Sequence, residues 1–122
     1  MSIREAMYYA QFSPCKKRKV GCVIVKKAEV IAYGFNHGYD EKCSCNFTGK
    51  NPNVLHAEEM ALQGTDDLYK GADLYVTYQP CQKCAELIVH KKIKNVFYAQ
   101  ETTCKNSIDF LNKHKVRTYA LT

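Results

Sequence analysis

The stretch Ala72-Asp73-Leu74-Tyr75-Val76-Thr77-Tyr78-Gln79-Pro80-Cys81-Gln82-Lys83-Cys84-Ala85-Glu86-Leu87-Ile88-Val89-His90-Lys91 carries two periodicities in succession. From 72 to 78 the side chains alternate, with Leu74 and Val76 on one face and Tyr75 and Thr77 on the other, which is the pattern of a strand. Pro80 then suits the opening of a helix, and from Cys81 to about Lys91 the apolar Ala85, Ile88 and Val89 fall on one side. Val96 to Ala99 reads as a further strand, Ser107 to about His114 as a helix and Val116 to Leu121 as a last strand. Strand and helix in strict alternation predict an α/β sheet with right-handed crossovers and helices on both faces.

Upstream, His56 to about Gln63 reads as a helix that Gly64-Thr65-Asp66-Asp67 closes. The segment from Asn36 to Asn53 holds Gly38, Gly49 and Pro52 and predicts a long loop, a feature usually functional inside a compact domain. Val20–Val25 and Val30–Phe35 are apolar runs rich in β-branched residues, separated by Lys26-Lys27-Ala28-Glu29, and read as a hairpin. Cys22 lies inside that pattern as a core residue. At the N-terminus Ser2, with Glu5 three residues on, caps a helix to about Phe12, before Ser13-Pro14 ends it.

The composition is that of one domain, residues 1–122, large enough for its own core, with 46% hydrophobic and 25% charged residues. A run of about 18 apolar residues and a charged-then-apolar leader are both missing, which argues against membrane spanning and secretion and for the cytoplasm. In that setting seven cysteines favour reduced thiols and metal ligation over disulfides. The net charge of +6 concentrates at Lys16-Lys17-Arg18-Lys19, Lys26-Lys27 and Lys91-Lys92. It fits a phosphorylated substrate or a nucleic acid, and equally a set of solvated faces.

Two short motifs carry chemistry. His56-Ala57-Glu58 and Pro80-Cys81-Gln82-Lys83-Cys84 offer one imidazole and two thiolates, the three protein ligands of a catalytic zinc whose fourth position is left to water. Glu58 is not needed as a ligand and is free to carry a proton. Alone, Cys81-x-x-Cys84 also suits a redox pair or half of a four-cysteine structural zinc site. His56-x-Glu58 is what those readings do not require. Both ligand groups fall at helix starts, where partial positive charge favours thiolate and hydroxide. The pattern H-x-E followed by P-C-x-x-C is that of zinc-dependent nucleobase deaminases.

With Val20-Gly21-Cys22-Val23-Ile24-Val25, Gly34-Phe35-Asn36, Leu74-Tyr75-Val76-Thr77 and Val96-Phe97-Tyr98 added, the chain resembles the cytidine deaminase-like superfamily over nearly its whole length. Within it the chain looks most like the deoxycytidylate (dCMP) deaminases. Ser13-x-Cys15-x-x-Arg18-x-Val20-Gly21, Cys84-Ala85-x-Leu87-Ile88 and the short tail after Ser107 carry that closer likeness. It departs from them at His37, where Gly is usual, and at Met60, often Asn. The resemblance implies a three-layer α/β/α fold with a mixed five-stranded sheet. It also implies hydrolysis of dCMP to dUMP and ammonia, a zinc-bound hydroxide attacking C4 and Glu58 shuttling the proton.

By the same resemblance Asn36 binds the sugar or orders the site, and backbone N–H groups near Ala57 and Cys81 stabilise developing charge. His37, with Lys42 and Lys50 in the following loop, is a candidate for the 5′-phosphate, and Tyr78 for stacking on the base; for His37 a turn residue without a role is the other reading. Cys15, Cys43 and Cys45, with Cys104 or a His as the fourth ligand, could hold a second, structural zinc as in some phage enzymes; unliganded thiols are the alternative. A homo-oligomer is implied, as is a cytoplasmic enzyme that a virus could encode. The other readings are a tRNA adenosine or other nucleic-acid or nucleoside deaminase, because His56-Ala-Glu-Glu-Met-Ala-Leu62 also suits those enzymes, and a non-enzymatic zinc-stabilised nucleic-acid-binding module.

Overall fold

The computed structural model describes residues 3–15, 18–38 and 54–121. Helix α1 (Ile3–Ala10) leads through a turn into the hairpin of β1 (Gly21–Lys26) and β2 (Glu29–Phe35). Lys27 and Ala28 form the turn with φ of 53° and 64°, both left-handed, as a two-residue hairpin requires. The register shifts between Ile24 and Val25, a bulge that strengthens the local twist.

A ribbon of β3 (His37–Gly38) and β4 (Val54–Leu55) follows, then α2 (Ala57–Ala61), α3 (Asp66–Tyr69), β5 (Asp73–Tyr78), α4 (Gln82–His90), β6 (Asn95–Gln100), α5 (Asn106–Lys113) and β7 (Arg117–Ala120). Three expectations need correction. His37 is not a turn residue but a strand residue paired with Leu55, so the two ends of the expected loop are hydrogen-bonded to each other. The helix expected over His56–Gln63 closes at Ala61, with His56 as its N-cap. The expected closing residues Asp66 and Asp67 instead open α3, because they supply acidic side chains to a first turn.

The main sheet has the order β2-β1-β5-β6-β7. β1 runs antiparallel to both its neighbours, while β5, β6 and β7 are parallel, so the sheet is mixed. Two crossovers of the same hand stepping in the same direction put α4 and α5 on one face, where they pack together with α2. α1 covers the other face over β1, β2 and β5.

β1 is therefore buried on both sides, and its side chains divide between two cores. Cys22 and Ile24 join Leu74, Val76, Ile88, Val96 and Leu111 in the larger core, whereas Val23 and Val25 pack with Ala6 of α1. The alternation expected of 72–78 holds, with Leu74 and Val76 fully buried and Tyr75 turned toward α1. Close approach demands glycine twice. A Cβ at Gly21 would meet the Ala6 carbonyl oxygen at 1.9 Å, and one at Gly34 the Ala57 carbonyl oxygen at 2.2 Å. Gly34 thereby lets β2 seat the first turn of α2, which is where His56 is carried. Among the described residues no helix is long and apolar enough to cross a membrane.

Candidate active site

Ligands in open α/β sheets gather beyond the carboxyl ends of the parallel strands. β5 ends at Tyr78, and after Gln79 and Pro80 the chain reaches Cys81, the N-cap of α4. Cys84 lies in the first turn of that helix and is fully buried. The β3–β4 ribbon delivers the chain to His56 from the other side. His56 Nδ1 stands 3.6 Å from Cys81 Sγ and 3.4 Å from Cys84 Sγ. For a tetrahedral zinc with ordinary Zn–N and Zn–S bond lengths, the N···S separation is about 3.6 Å. The three side chains sequence reasoning selected are thus brought together at the spacing the metal needs. They are the one such group of metal-ligating side chains among the described residues.

Protonation is shared within this cluster. A hydrogen bond from the Cys84 thiol, with a second contribution from His56, brings Cys81 down to about 4. Donation to Cys81 and burial hold the Cys84 thiol well above its ordinary value. The bond to Cys81 raises His56, against the opposing effect of burial. Without metal the site is one thiolate sharing protons with its neighbours, and metal binding would displace those protons.

Glu58 is 4% exposed on the inner side of α2. Burial, then the negative charge of Cys81, pushes its carboxyl up to about 7, with His56 acting in the opposite direction. A carboxyl near neutrality, close to the ligand cluster and shielded from bulk water, is suited to both taking and giving a proton at physiological pH. Ala57 is buried beside it; as the first residue of α2 its N–H has no acceptor within the helix.

Asn36 is buried and acts as a clamp on the chain entering β1. Its Oδ1 accepts the Val20 N–H at 2.8 Å, its Nδ2 donates to the Arg18 carbonyl at 2.9 Å, and its own carbonyl accepts the Ser13 hydroxyl at 2.7 Å. These bonds order the segment that enters β1. The clamp places Arg18, whose guanidinium lies 3.8 Å over the ring of Tyr78, on a ring face expected to be open to a base. His37 lies with its ring 5.7 Å from that of Phe35, in the ribbon one residue pair from His56.

Of the candidates for a second zinc, Cys43 and Cys45 lie outside the described residues, as do Lys42 and Lys50. Cys15 is buried, while Cys104 is an exposed free thiol. Three further residues were not picked out by sequence reasoning. Arg18 was noted only as part of a motif. Gln79 is buried, donating to the Cys104 carbonyl at 2.7 Å and accepting the Thr102 N–H at 3.1 Å, which ties the segment after β6 to the turn carrying Cys81. Glu59 accepts the His56 N–H at 2.9 Å. The third was findable, since Glu three residues after an N-cap is half of a capping box, but His is an unusual N-cap.

A mixed sheet with one imidazole and two thiols converging at two helix starts defines a zinc-binding α/β domain. The family model for the cytidine and deoxycytidylate deaminase zinc-binding region matches residues 1–100, and the chain belongs to that family. It is 36% identical over 112 residues to a deoxycytidylate deaminase of Mycobacterium phage D29, covering 76% of this chain and 87% of the relative. It is 39% identical over 106 residues to the deoxycytidylate deaminase of Saccharomyces cerevisiae, covering 75% of this chain and 34% of the yeast protein, so it spans about a third of that relative's length. The crystal structure of a dCMP deaminase from cyanophage S-TIM5 in complex with dCMP and dUMP superposes with a TM-score of 0.83 at 31% identity, covering 98% of this chain and 93% of that one. A structure of a tRNA:A34 deaminase shares the fold at a TM-score of 0.59 and 24% identity.

Proposed function

We propose that this chain hydrolyses dCMP to dUMP and ammonia. The observation that carries the reading is the convergence of His56 Nδ1 with the Cys81 and Cys84 sulfurs at zinc-ligand spacing, beside a buried carboxyl held near 7. The likeness to the S-TIM5 enzyme supports the substrate, because it extends over 98% of this chain and that enzyme was crystallised with dCMP and dUMP.

His56, Cys81 and Cys84 would hold the metal, which when bound supplies a Lewis acid that lowers the pKa of a water molecule toward about 7. Glu58 accepts a proton from the water that adds to C4 and delivers it to ring N3, so the ring stays neutral as the C4–O bond forms. A second proton passes through the same carboxyl to the amino group, and the C4–N bond breaks with loss of ammonia. Water and dCMP are consumed and dUMP and ammonia formed, with Glu58 returned to its starting state. The Ala57 N–H, lacking a helix acceptor, is available to donate to the pyrimidine in this reading.

Among the described residues Arg18 is the cation we assign to reading a 5′-phosphate. Asn36 holds its backbone, Tyr78 carries its guanidinium, and a guanidinium matches phosphate oxygens in a bidentate way. A second, structural zinc on Cys15, Cys43 and Cys45, with Cys104 or a His as the fourth ligand, is decided by a metal count on reduced protein.

The experiment is an ammonia-release assay of the zinc-loaded chain with dCMP, dCTP, deoxycytidine and an adenosine-bearing tRNA in parallel. Turnover of dCMP well above the other three is expected. Preference for the tRNA, or no turnover of any, would replace this reading with a nucleic-acid deaminase or a binding module.

A further inference from the structure

The metal-ligating side chains come from two separate turns, the start of α2 and the start of α4, and Glu59 touches both. Its Oε1 accepts the backbone N–H of His56 at 2.9 Å. Its Oε2 lies 3.2 Å from Nζ of Lys83, the residue flanked by Cys81-Gln82 and Cys84. The Glu59 side chain is 16% exposed, whereas that of Lys83 is 68% exposed. The carboxylate therefore has a sheltered half, fixed to the imidazole-bearing turn, and a wetter half, fixed to the thiol-bearing turn.

We propose that Glu59 is a positioning residue for the metal centre, a strut that holds the His56 turn against the Cys81–Cys84 turn and so sets how long zinc is retained. The inference rests on the reading of His56, Cys81 and Cys84 as zinc ligands. A metal held from two elements leaves when one element swings away from the other, because each ligand bond can then break singly. The His56 N–H precedes the first turn of α2, and Glu59 anchors that backbone at the residue bearing the imidazole. Glu58 on the same short helix carries the proton, while Glu59 is occupied by these two bonds. Adjacent carboxylates thus divide into a chemical and a mechanical role.

The test is zinc release from the zinc-loaded chain into excess chromogenic chelator, with thermal unfolding of the same samples. Outer-shell partners of metal ligands typically change affinity by about 10–100-fold, and Glu59→Ala should release zinc faster by about that range. Lys83→Gln cuts only the exposed half, so release should quicken by about two- to fivefold at low salt. That difference should shrink at about 1 M salt, where screening is nearly complete. Glu59→Gln keeps an acceptor for the His56 N–H and should fall between the two. The double variant Glu59→Gln/Lys83→Gln should release zinc no faster than Glu59→Gln, since the same link is already cut.

Release from Glu59→Ala within twofold of the parent, with only the melting temperature lowered, would overturn the inference and leave Glu59 a helix cap. Independent multiplication of the two single effects in the double variant would do the same. If Glu59→Ala does not fold, Glu59→Gln and the exposed Lys83→Gln decide the matter on the same readout. A parent that takes up no zinc would refute the metal centre and with it this inference, whereas a parent that retains zinc, with release unmoved in all variants, refutes only the role of Glu59.

Discussion

Glu58→Gln should do two opposite things. The exchange keeps shape and removes the proton carrier from a site that is 4% exposed. Glu59, the nearest other carboxyl in sequence, is bonded to the His56 N–H and Lys83 and does not replace it. Proton transfer by a positioned side chain contributes about 10²–10⁴-fold, and Glu58 serves two transfers, so a loss of at least about 10³-fold in kcat is expected. Stability should move the other way. In the metal-free protein the Glu58 carboxyl stands near 7 against an unfolded value of 4.5. The fold then binds more protons than the unfolded chain between those values, so stability falls as pH rises from about 4.5 to 7 and levels off above.

The cost at pH 8 is up to about 3 kcal/mol, and the neutral amide of the variant would not incur it. Metal-free Glu58→Gln should therefore be more stable than the parent at pH 8 and indistinguishable from it near pH 4, in denaturant titrations at the two pH values. Initial rates of dCMP turnover, with zinc content measured on the same samples, supply the other half. Activity within tenfold of the parent at full zinc occupancy would refute the assignment of Glu58. An unchanged stability difference between pH 4 and pH 8 would refute the burial argument on its own.

Arg18→Ala should raise KM for dCMP by about tenfold or more, the loss expected of a charged hydrogen bond, and leave deoxycytidine turnover nearly unaltered. Equal effects on both substrates would show that Arg18 does not read the phosphate. Gly21→Ala would force a Cβ to 1.9 Å from the Ala6 carbonyl oxygen and 2.5 Å from the Ala10 nitrogen, both backbone atoms, so α1 must lift off the sheet. A stability loss of about 1–3 kcal/mol is expected by denaturant unfolding, and a neutral result would mean that α1 is not docked there. Zinc addition to the metal-free chain should release protons, because the Cys84 thiol is held protonated beside a Cys81 thiolate; a pH-indicator titration reads it. Reduced, dialysed protein with one zinc per chain would set aside the structural site, and two would support it.

The βαβ alternation after residue 72 was legible because strand and helix periods follow side-chain burial directly, and Leu74, Val76 and Ile88 are core residues in fact as in pattern. The metal-ligating side chains were legible for a different reason. Zinc restricts both residue type and number, so His56, Cys81 and Cys84 stand out as candidate ligands without a fold. The β3–β4 ribbon was not legible, since two-residue strands carry no period to detect. That Asn36 bonds the Arg18 carbonyl and that Tyr78 lies under the Arg18 guanidinium were not legible. Hydrogen bonds between residues sixteen or more positions apart, such as Val20 with Asn36, leave no trace in local spacing.

By itself, then, the chain's order of residues pointed to an α/β sheet, a candidate zinc ligand set and a carboxyl next to it, because each depends on local periodicity or on coordination chemistry. Only the tertiary structure decided that His56 Nδ1 is the atom facing both sulfurs, that Glu58 is buried deeply enough to stand near 7, and that Glu59 joins the two ligand-bearing turns. Those are matters of distance and dielectric between segments that meet only when β2, β5 and the two helix starts are packed together.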